Sequence, residues 1–271
     1  MDTLARKIGK LNETILGLKG VVVAYSGGVD STYLAKRCAD LLGERVLAVT
    51  AVSETYPPRE VQAAIEMAKT LGLRHEVVRT TELNNPEFRS NPPGRCYHCK
   101  LELFSKLHGI AEERGLPHVV DGSNLDDLSD HRPGRQAARE LGVRSPLQEA
   151  SLTKAEIRIL SKEEGLPTWN KPSFACLASR FPYRVNITKE TLDRIERAES
   201  FITSLGIAQV RLRHHGSIAR IEVEPADFSI VLEPHNRQRI ASLCRELGYA
   251  YATLDLAGYR SGSMNEVLGD G

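Results

Sequence analysis

The chain has 271 residues, 41% of them hydrophobic and 26% charged, with a formal net charge of +1. That length buries a sizeable core, either in one large domain or in a nucleotide-binding domain followed by a smaller one. The near-zero charge carries no global nucleic-acid or membrane signature, and no run reaches the roughly 18 apolar residues that span a bilayer. Residues 1–20 lack the apolar centre of a signal peptide, so the expected compartment is the cytoplasm.

Apolar spacing predicts a helix over Leu4 to Leu18, with Lys19-Gly20 as a stop before the β-rich run Val21 to Tyr25. A glycine loop follows that strand directly. The alternation then continues with a helix over Ser31 to Leu42, a strand over Arg45 to Val52, a helix over Arg59 to Leu71 and a strand over His75 to Arg79. After a Pro/Asn/Gly-rich interruption from Asn84 to Gly94, a helix near Tyr97 to Arg114 leads to a strand over Pro117 to Asp121. This order predicts an α/β fold, a parallel sheet with helices on both faces, whose ligands bind beyond the carboxyl ends of the strands.

The segment from Leu166 to Tyr183 carries Pro167, Pro172 and Pro182 and reads as a structured connection or site loop. Composition then shifts. A long helix over Thr188 to Leu205 precedes strands at Gln209 to Arg213 and Ile218 to Val223, helices at Ala226 to Leu232 and Asn236 to Leu247, and a last strand at Tyr251 to Leu254. The boundary is therefore drawn at about residue 185, with residues 1–185 as the nucleotide-binding domain and 186–271 as a smaller α+β substrate or oligomerisation domain.

The loop Ser26-Gly27-Gly28-Val29-Asp30-Ser31 joins a strand to a helix. Its glycines allow a tight turn with backbone amides facing an anion, and its serines add donors beside a helix N-terminus that favours negative charge. It lacks the Gly-Lys-Ser/Thr of a Walker A loop and the G-x-G-x-x-G of a dinucleotide fingerprint. Strand-SGGVDS-helix resembles the pyrophosphate loop of the N-type ATP pyrophosphatases, the PP-loop superfamily with a Rossmann-like fold. The resemblance implies cleavage of ATP between the α and β phosphates, pyrophosphate held by Ser26, Gly27, Gly28 and Ser31, and AMP passed to a carbonyl or carboxylate oxygen. Asp30 either holds the loop or approaches Mg²⁺. A second stretch, Asp121-Gly122-Ser123-Asn124-Leu125-Asp126-Asp127, should return to the same sheet edge, where Gly122 and Asp126 line the adenylate pocket or bind Mg²⁺, or where Asp126 and Asp127 form an acidic loop with Asx turns.

Five cysteines, few and odd in number, argue against a disulfide framework. Cys96-Tyr97-His98-Cys99 is a C-x-x-C pair, and Cys176 stands alone in the proline-rich connection. Two thiolates with a distant third can bind three irons of a cubane cluster, leaving one iron open to hold a labile sulfide. A zinc site with His98, a redox dithiol and plain structural thiols fit the pair as well. Cys38 and Cys244 fall in predicted helices, where a buried inert thiol is the default.

Several stretches together carry the reading further: SGGVDS at Ser26 to Ser31, His131-Arg132-Pro133-Gly134, Ser145-Pro146-Leu147, Gly165-Leu166-Pro167-Thr168-Trp169-Asn170-Lys171, Cys176-Leu177-Ala178-Ser179-Arg180-Phe181-Pro182-Tyr183, Val210-Arg211-Leu212-Arg213-His214 and Ile218-Ala219-Arg220-Ile221-Glu222. The combination resembles the LarE family of ATP-dependent sulfur transferases, which help build the nickel-pincer nucleotide cofactor of lactate racemase. It extends from about Val21 to the tail Gly258-Tyr259-Arg260-Ser261-Gly262. The resemblance implies a homo-oligomer that adenylates carboxylates of pyridinium-3,5-biscarboxylic acid mononucleotide with ATP and Mg²⁺, and then replaces AMP with sulfur. Some members of the family sacrifice one cysteine, and others bind a [4Fe-4S] cluster with three. Cys96, Cys99 and Cys176 fit the second pattern, while Cys176 alone fits a sacrificial nucleophile. Arg184 stands where many relatives are expected to have glycine.

Arg211 and Arg213 alternate along a predicted strand, so they share a face and can grip the mononucleotide phosphate, with Ser179 and Arg180 as further contacts to that phosphate or to the reacting carboxylates. The alternative is an exposed basic strand face. Glu199 and Glu222 either bring a metal ion, order these arginines, or form surface ion pairs. Trp169, Phe174 and Phe181 either line a pyridinium site or anchor a loop. A tRNA thiolase, the main rival activity, needs a broad basic surface that a net charge of +1 does not supply. A non-catalytic adenine-nucleotide sensor is the rival outside enzymology. The upstream sulfur source is not encoded in these motifs.

Overall fold

Val21, Val22 and Val23 are all fully buried, so the strand they form, β1 (Val21–Ala24), is covered on both sides. The computed structural model describes residues 3–128, 133–172, 174–260 and 262–263; His131, Arg132 and Ser261 of the motifs above lie outside these described residues. β1 pairs in parallel with β2 (Val46–Val52) and with β4 (His118–Val120), and β2 pairs with β3 (His75–Arg79), giving the order β3-β2-β1-β4. Val21 sits opposite both Val46 and His118 in register.

Two-residue periodicity sends alternate β1 side chains to opposite cores. Val21 and Val23 join Leu11 and Ile15 of α1 (Leu4–Leu18), Leu34 of α2 (Val29–Leu42), Ala64 of α3 (Pro58–Thr70) and Ile157 of α8 (Lys154–Glu163). Val22 joins Leu47 and Val49 with Phe104 and Leu107 of α5 (Arg95–Glu113) and Ala138 of α6 (Gly134–Glu140). The expected parallel sheet with helices on both faces is therefore present. Two single-turn helices, α4 (Pro86–Arg89) and α7 (Pro146–Glu149), complete the set. No helix among the described residues is long and apolar enough to cross a membrane.

The chain divides into two compact units, residues 1–88 with 94–174, and residues 89–93 with 175–271. In the second, α9 (Lys189–Ser204) precedes a sheet in the order β5-β6-β7, formed by β5 (Val210–His215), β6 (Ile218–Val223) and β7 (Tyr251–Leu254). β5 and β6 are antiparallel, and β6 and β7 are parallel. Between them run α10 (Phe228–Leu232) and α11 (Pro234–Glu246). Residues 89–93 join this unit through Asn91, whose side-chain amide donates to the Pro182 carbonyl at 2.7 Å and whose own carbonyl accepts from the Arg184 amide at 2.9 Å. Arg184 has φ +66, the left-handed region that favours glycine. That backbone conformation is the physical reason a glycine fits this position.

Cys38 and Cys244 are buried, and burial pushes their thiols up to about 12 and about 11, as inert core thiols require.

Candidate active site

The phosphate loop is shaped by contacts that only its own residue types permit. Gly27 has φ +67, and a Cβ there would lie 2.7 Å from the Ala64 Cβ of α3. Gly28 then opens α2 in an extended conformation with no side-chain cap, so the first amides of the helix receive no acceptor from the cap residue. Ser26 and Ser31 brace the turn across its mouth with their hydroxyls 3.0 Å apart, and the Ser26 amide donates to Ser31 Oγ at 3.2 Å. Behind the loop, Tyr25 stacks edge-on against His75, and Thr50 Oγ1 donates to the Tyr25 carbonyl at 3.0 Å. Since that bond uses the Thr50 proton, the His75 Nε2–H is the donor in the 2.8 Å contact to Thr50 Oγ1. Burial lowers the His75 pKa, in keeping with a neutral ring.

The second acidic stretch does return to this edge. A Cβ on Gly122 would lie 2.9 Å from the Ser31 amide nitrogen, so glycine lets the chain after β4 press on the first turn of α2. The carboxylates beyond it are largely occupied. Asp121 accepts from Ser123 and from Ser145 Oγ at 2.6 Å, Asp127 accepts from the Asn124 amide at 2.9 Å, and Asp126 accepts from the Lys154 amide at 2.8 Å, where it serves the N-terminus of α8. The Asx-turn alternative accounts for Asn124 too, which accepts from the Asp126 amide at 2.9 Å.

Asp30 differs from these. One carboxylate oxygen pairs with the Lys154 ammonium, while Oδ1 is buried without a hydrogen-bond partner. An orphaned buried carboxylate oxygen beside a phosphate loop fits a divalent cation brought by the nucleotide. Among the described residues, two lysines outside the loop itself also reach it: Lys154 through Asp30, and Lys171, whose Nζ donates to the Gly27 carbonyl at 3.2 Å and pairs with Glu60 at 3.0 Å. Lys171 belongs to the Gly165-to-Lys171 stretch singled out above, and that was its only signal in the sequence.

Cys96 and Cys99 lie three residues apart in the first turn of α5, a spacing that puts both on one face. Cys96 is exposed and Cys99 half-buried, and neither is in a disulfide. The Cys99 thiol donates to Glu82 Oε1 at 3.5 Å, an oxygen that also accepts from Thr80 Oγ1 at 3.0 Å. His98 turns to Glu87, with Nδ1 3.2 Å from Oε2. Among the described residues no group of three or more His, Cys, Asp or Glu side chains could hold a metal ion. What fits a cluster is the donor chemistry: unbridged thiols, two of them on one turn of a helix whose N-terminus favours negative charge.

In the second unit Cys176 precedes a single 3-10 turn, Leu177–Arg180. Its carbonyl accepts from Ser179 Oγ at 2.8 Å and from Arg180 Nη1 at 3.1 Å. Arg180 is completely buried; its guanidinium also donates to the Ala175 carbonyl at 2.7 Å and, through Nε and Nη2, to both oxygens of Glu199 at 2.9 Å. This arginine fixes the backbone on which Cys176 sits. Glu199 is completed by the Leu212 amide at 2.8 Å.

Arg211 and Arg213 share a face of β5, and the register sets Arg211 opposite Glu222. Arg213 forks onto Glu222 Oε2 at 3.0 and 2.8 Å and donates to the Ser179 carbonyl at 2.9 Å. Glu222 Oε1 takes Arg220 at 2.9 Å. Both glutamates are thus ordering arginines, and at 1% exposure each carboxylate is buried rather than at the surface. Arg211 lies over the Tyr259 ring at 5.3 Å, and burial, followed by the charge of Arg180, pushes it down to about 10. Of the aromatic candidates, Phe181 is buried against His214, and Trp169 carries the Lys162 ammonium 4.8 Å from its ring centre.

A glycine loop between strand and helix at the carboxyl edge of a parallel sheet defines an α/β protein of the PP-loop nucleotide-binding class. Residues 6–88 match the NAD synthase family model. The chain is 44% identical to an uncharacterized protein of Synechocystis over 98% of its own length and 99% of the relative's. It is 39% identical to the pyridinium-3,5-bisthiocarboxylic acid mononucleotide synthase of Lactiplantibacillus plantarum over 99% and 97% of the two chains. A GMP synthase of Aeropyrum pernix is 27% identical over 67% of this chain and 38% of its own. The chain belongs to the LarE family.

Proposed function

We propose that this protein uses ATP to adenylate the carboxylates of pyridinium-3,5-biscarboxylic acid mononucleotide and exchanges the AMP for sulfur, yielding thiocarboxylates for the nickel-pincer cofactor of lactate racemase. The observation that carries this reading is the 39% identity, over nearly the whole of both chains, to the bisthiocarboxylic acid mononucleotide synthase. A substrate carboxylate oxygen attacks the α-phosphorus, and the bond to the β-phosphate oxygen breaks. Amides at the start of α2 and the Ser26 and Ser31 hydroxyls face the departing pyrophosphate. Mg²⁺ accompanying the nucleotide would be held by Asp30 Oδ1. Four guanidiniums, Arg180, Arg211, Arg213 and Arg220, set against the three carboxylates Glu199, Glu222 and Asp255, leave a positive surplus suited to the mononucleotide phosphate, with Arg211 and Arg213 as its grip and Arg180 and Ser179 shaping the turn behind them.

For the sulfur we assign Cys96, Cys99 and Cys176 to a [4Fe-4S] cluster, which when bound supplies an open iron for a labile sulfide. Assembly as a homo-oligomer belongs to the same reading. Pyrophosphate release that depends on the mononucleotide tests the activation step, and its absence removes it. Anaerobically purified protein should contain iron and acid-labile sulfide; if both are missing, the cluster assignment fails and Cys176 becomes the sulfur source through a thioester with the activated carboxylate.

A further inference from the structure

The phosphate loop carries no lysine of its own, although the anion it is read to hold has several negative charges. Loops that close in Gly-Lys-Ser/Thr supply that charge from within the motif. Here the hydroxyls are partly spent on the loop itself, since Ser31 Oγ lies 3.0 Å from Ser26 Oγ and donates to the Gly28 carbonyl at 3.3 Å. Formal positive charge reaches the loop from two lysines that lie far along the chain, and they differ in what holds them.

Lys154 pairs with Asp30, a carboxylate whose other oxygen already lacks a partner, so moving the ammonium away would strip that carboxylate further. Lys171 is held differently. Its backbone is fixed: its amide donates to the Thr168 carbonyl at 2.9 Å, and Arg158 of α8 clamps the Trp169 and Lys171 carbonyls at 2.7 and 2.9 Å. Its ammonium, by contrast, rests on replaceable partners, the Gly27 carbonyl and the Glu60 carboxylate. The Glu60 side chain retains 24% exposure, so water can take the place of the lysine there. An ammonium has three donors, and these contacts use two.

We propose that Lys171 is the pyrophosphate-binding cation of this loop, a role that rests on the ATP reading above. It keeps the Gly27 carbonyl and exchanges Glu60 for a pyrophosphate oxygen. Glu60 then acts as a competitor that parks the ammonium when the loop is empty. The clamp by Arg158 sets where the ammonium can reach, and the same lysine gives the motif Gly165 to Lys171 a function that its proline and tryptophan do not explain.

Titration calorimetry of the full chain with inorganic pyrophosphate, ATP and AMP tests this. Lys171→Ala should weaken pyrophosphate binding about 10- to 100-fold, as loss of one charge-assisted contact predicts. AMP affinity should stay within about twofold, Lys171→Arg should recover part of the loss, and Glu60→Gln should tighten pyrophosphate binding, because it removes the competing charge. If Lys171→Ala binds pyrophosphate like the wild type, or loses pyrophosphate and AMP equally, Lys171 has no such role. Weaker binding by Glu60→Gln overturns it as well. If the wild-type protein binds neither ATP nor pyrophosphate, the ATP reading itself falls, a result distinct from either of these.

Discussion

The phosphate loop and the arginine–glutamate cluster are the two anion sites proposed for this protein, and they are built from opposite materials. The loop works through backbone: two glycines, two short serines and the bare start of α2, with charge brought in from Lys154 and Lys171. The cluster works through long side chains that are almost wholly withdrawn from water, Arg180 at 0% and Glu199 at 1% exposure. A backbone site keeps its shape when one neighbouring side chain is lost. A dry ionic site does not, because each charge left behind has no water to replace its partner.

The sharpest way to break this contrast is Glu199→Ala, which strands the buried Arg180 guanidinium. A loss of about 3–5 kcal/mol in denaturant unfolding is expected, whereas a loss below about 1 kcal/mol would mean that water enters the cluster. Gly27→Ala attacks the loop where it does depend on a single residue. The added Cβ meets Ala64 at 2.7 Å on a left-handed backbone, and the expected cost is about 1–3 kcal/mol together with loss of pyrophosphate affinity. Unchanged binding would show that α3 yields easily.

Arg184→Gly sharpens the comparison in the opposite direction, by relieving strain near the cluster. The left-handed penalty of about 1–2 kcal/mol is relieved, less about 0.5–1 kcal/mol for glycine's greater freedom when unfolded, so the urea midpoint should rise slightly. The smallest effect is that of pH. His75 beside the loop and His214 beside the cluster both have pKa values lowered mainly by burial, so the unfolded chain takes up protons first as pH falls. Their contribution is complete above about pH 6.5 and is lost as pH drops below it toward the folded values. The melting temperature should fall over that window, and His75→Gln should remove part of the decline.

How much of this could be read in the sequence follows the same division. The loop, the alternation of strands and helices and the long helices are legible because glycine torsions and apolar periodicity are local. Helix α8 falls in a stretch where no element is predicted, although its Thr153 and Glu156 form a capping box whose residue types are visible at the right spacing. The buried pairing of Arg180 with Glu199 was not legible, since ion pairs drawn from sequence default to the surface. Lys171 stood in a quoted motif, but its contact with Gly27 spans 144 positions, and nothing local announces it. Position 184 was marked by an expected glycine, and the observed torsion supplies the reason.

The central claim is that ATP consumed at the loop delivers sulfur to a small mononucleotide. Incubation of the anaerobically prepared protein with ATP and either pyridinium-3,5-biscarboxylic acid mononucleotide or bulk tRNA, followed by mass spectrometry of both, tests it most directly. The account predicts replacement of carboxylate oxygen by sulfur in the mononucleotide, with AMP and pyrophosphate formed and the tRNA unchanged; thiolated tRNA with an unaltered mononucleotide would contradict it.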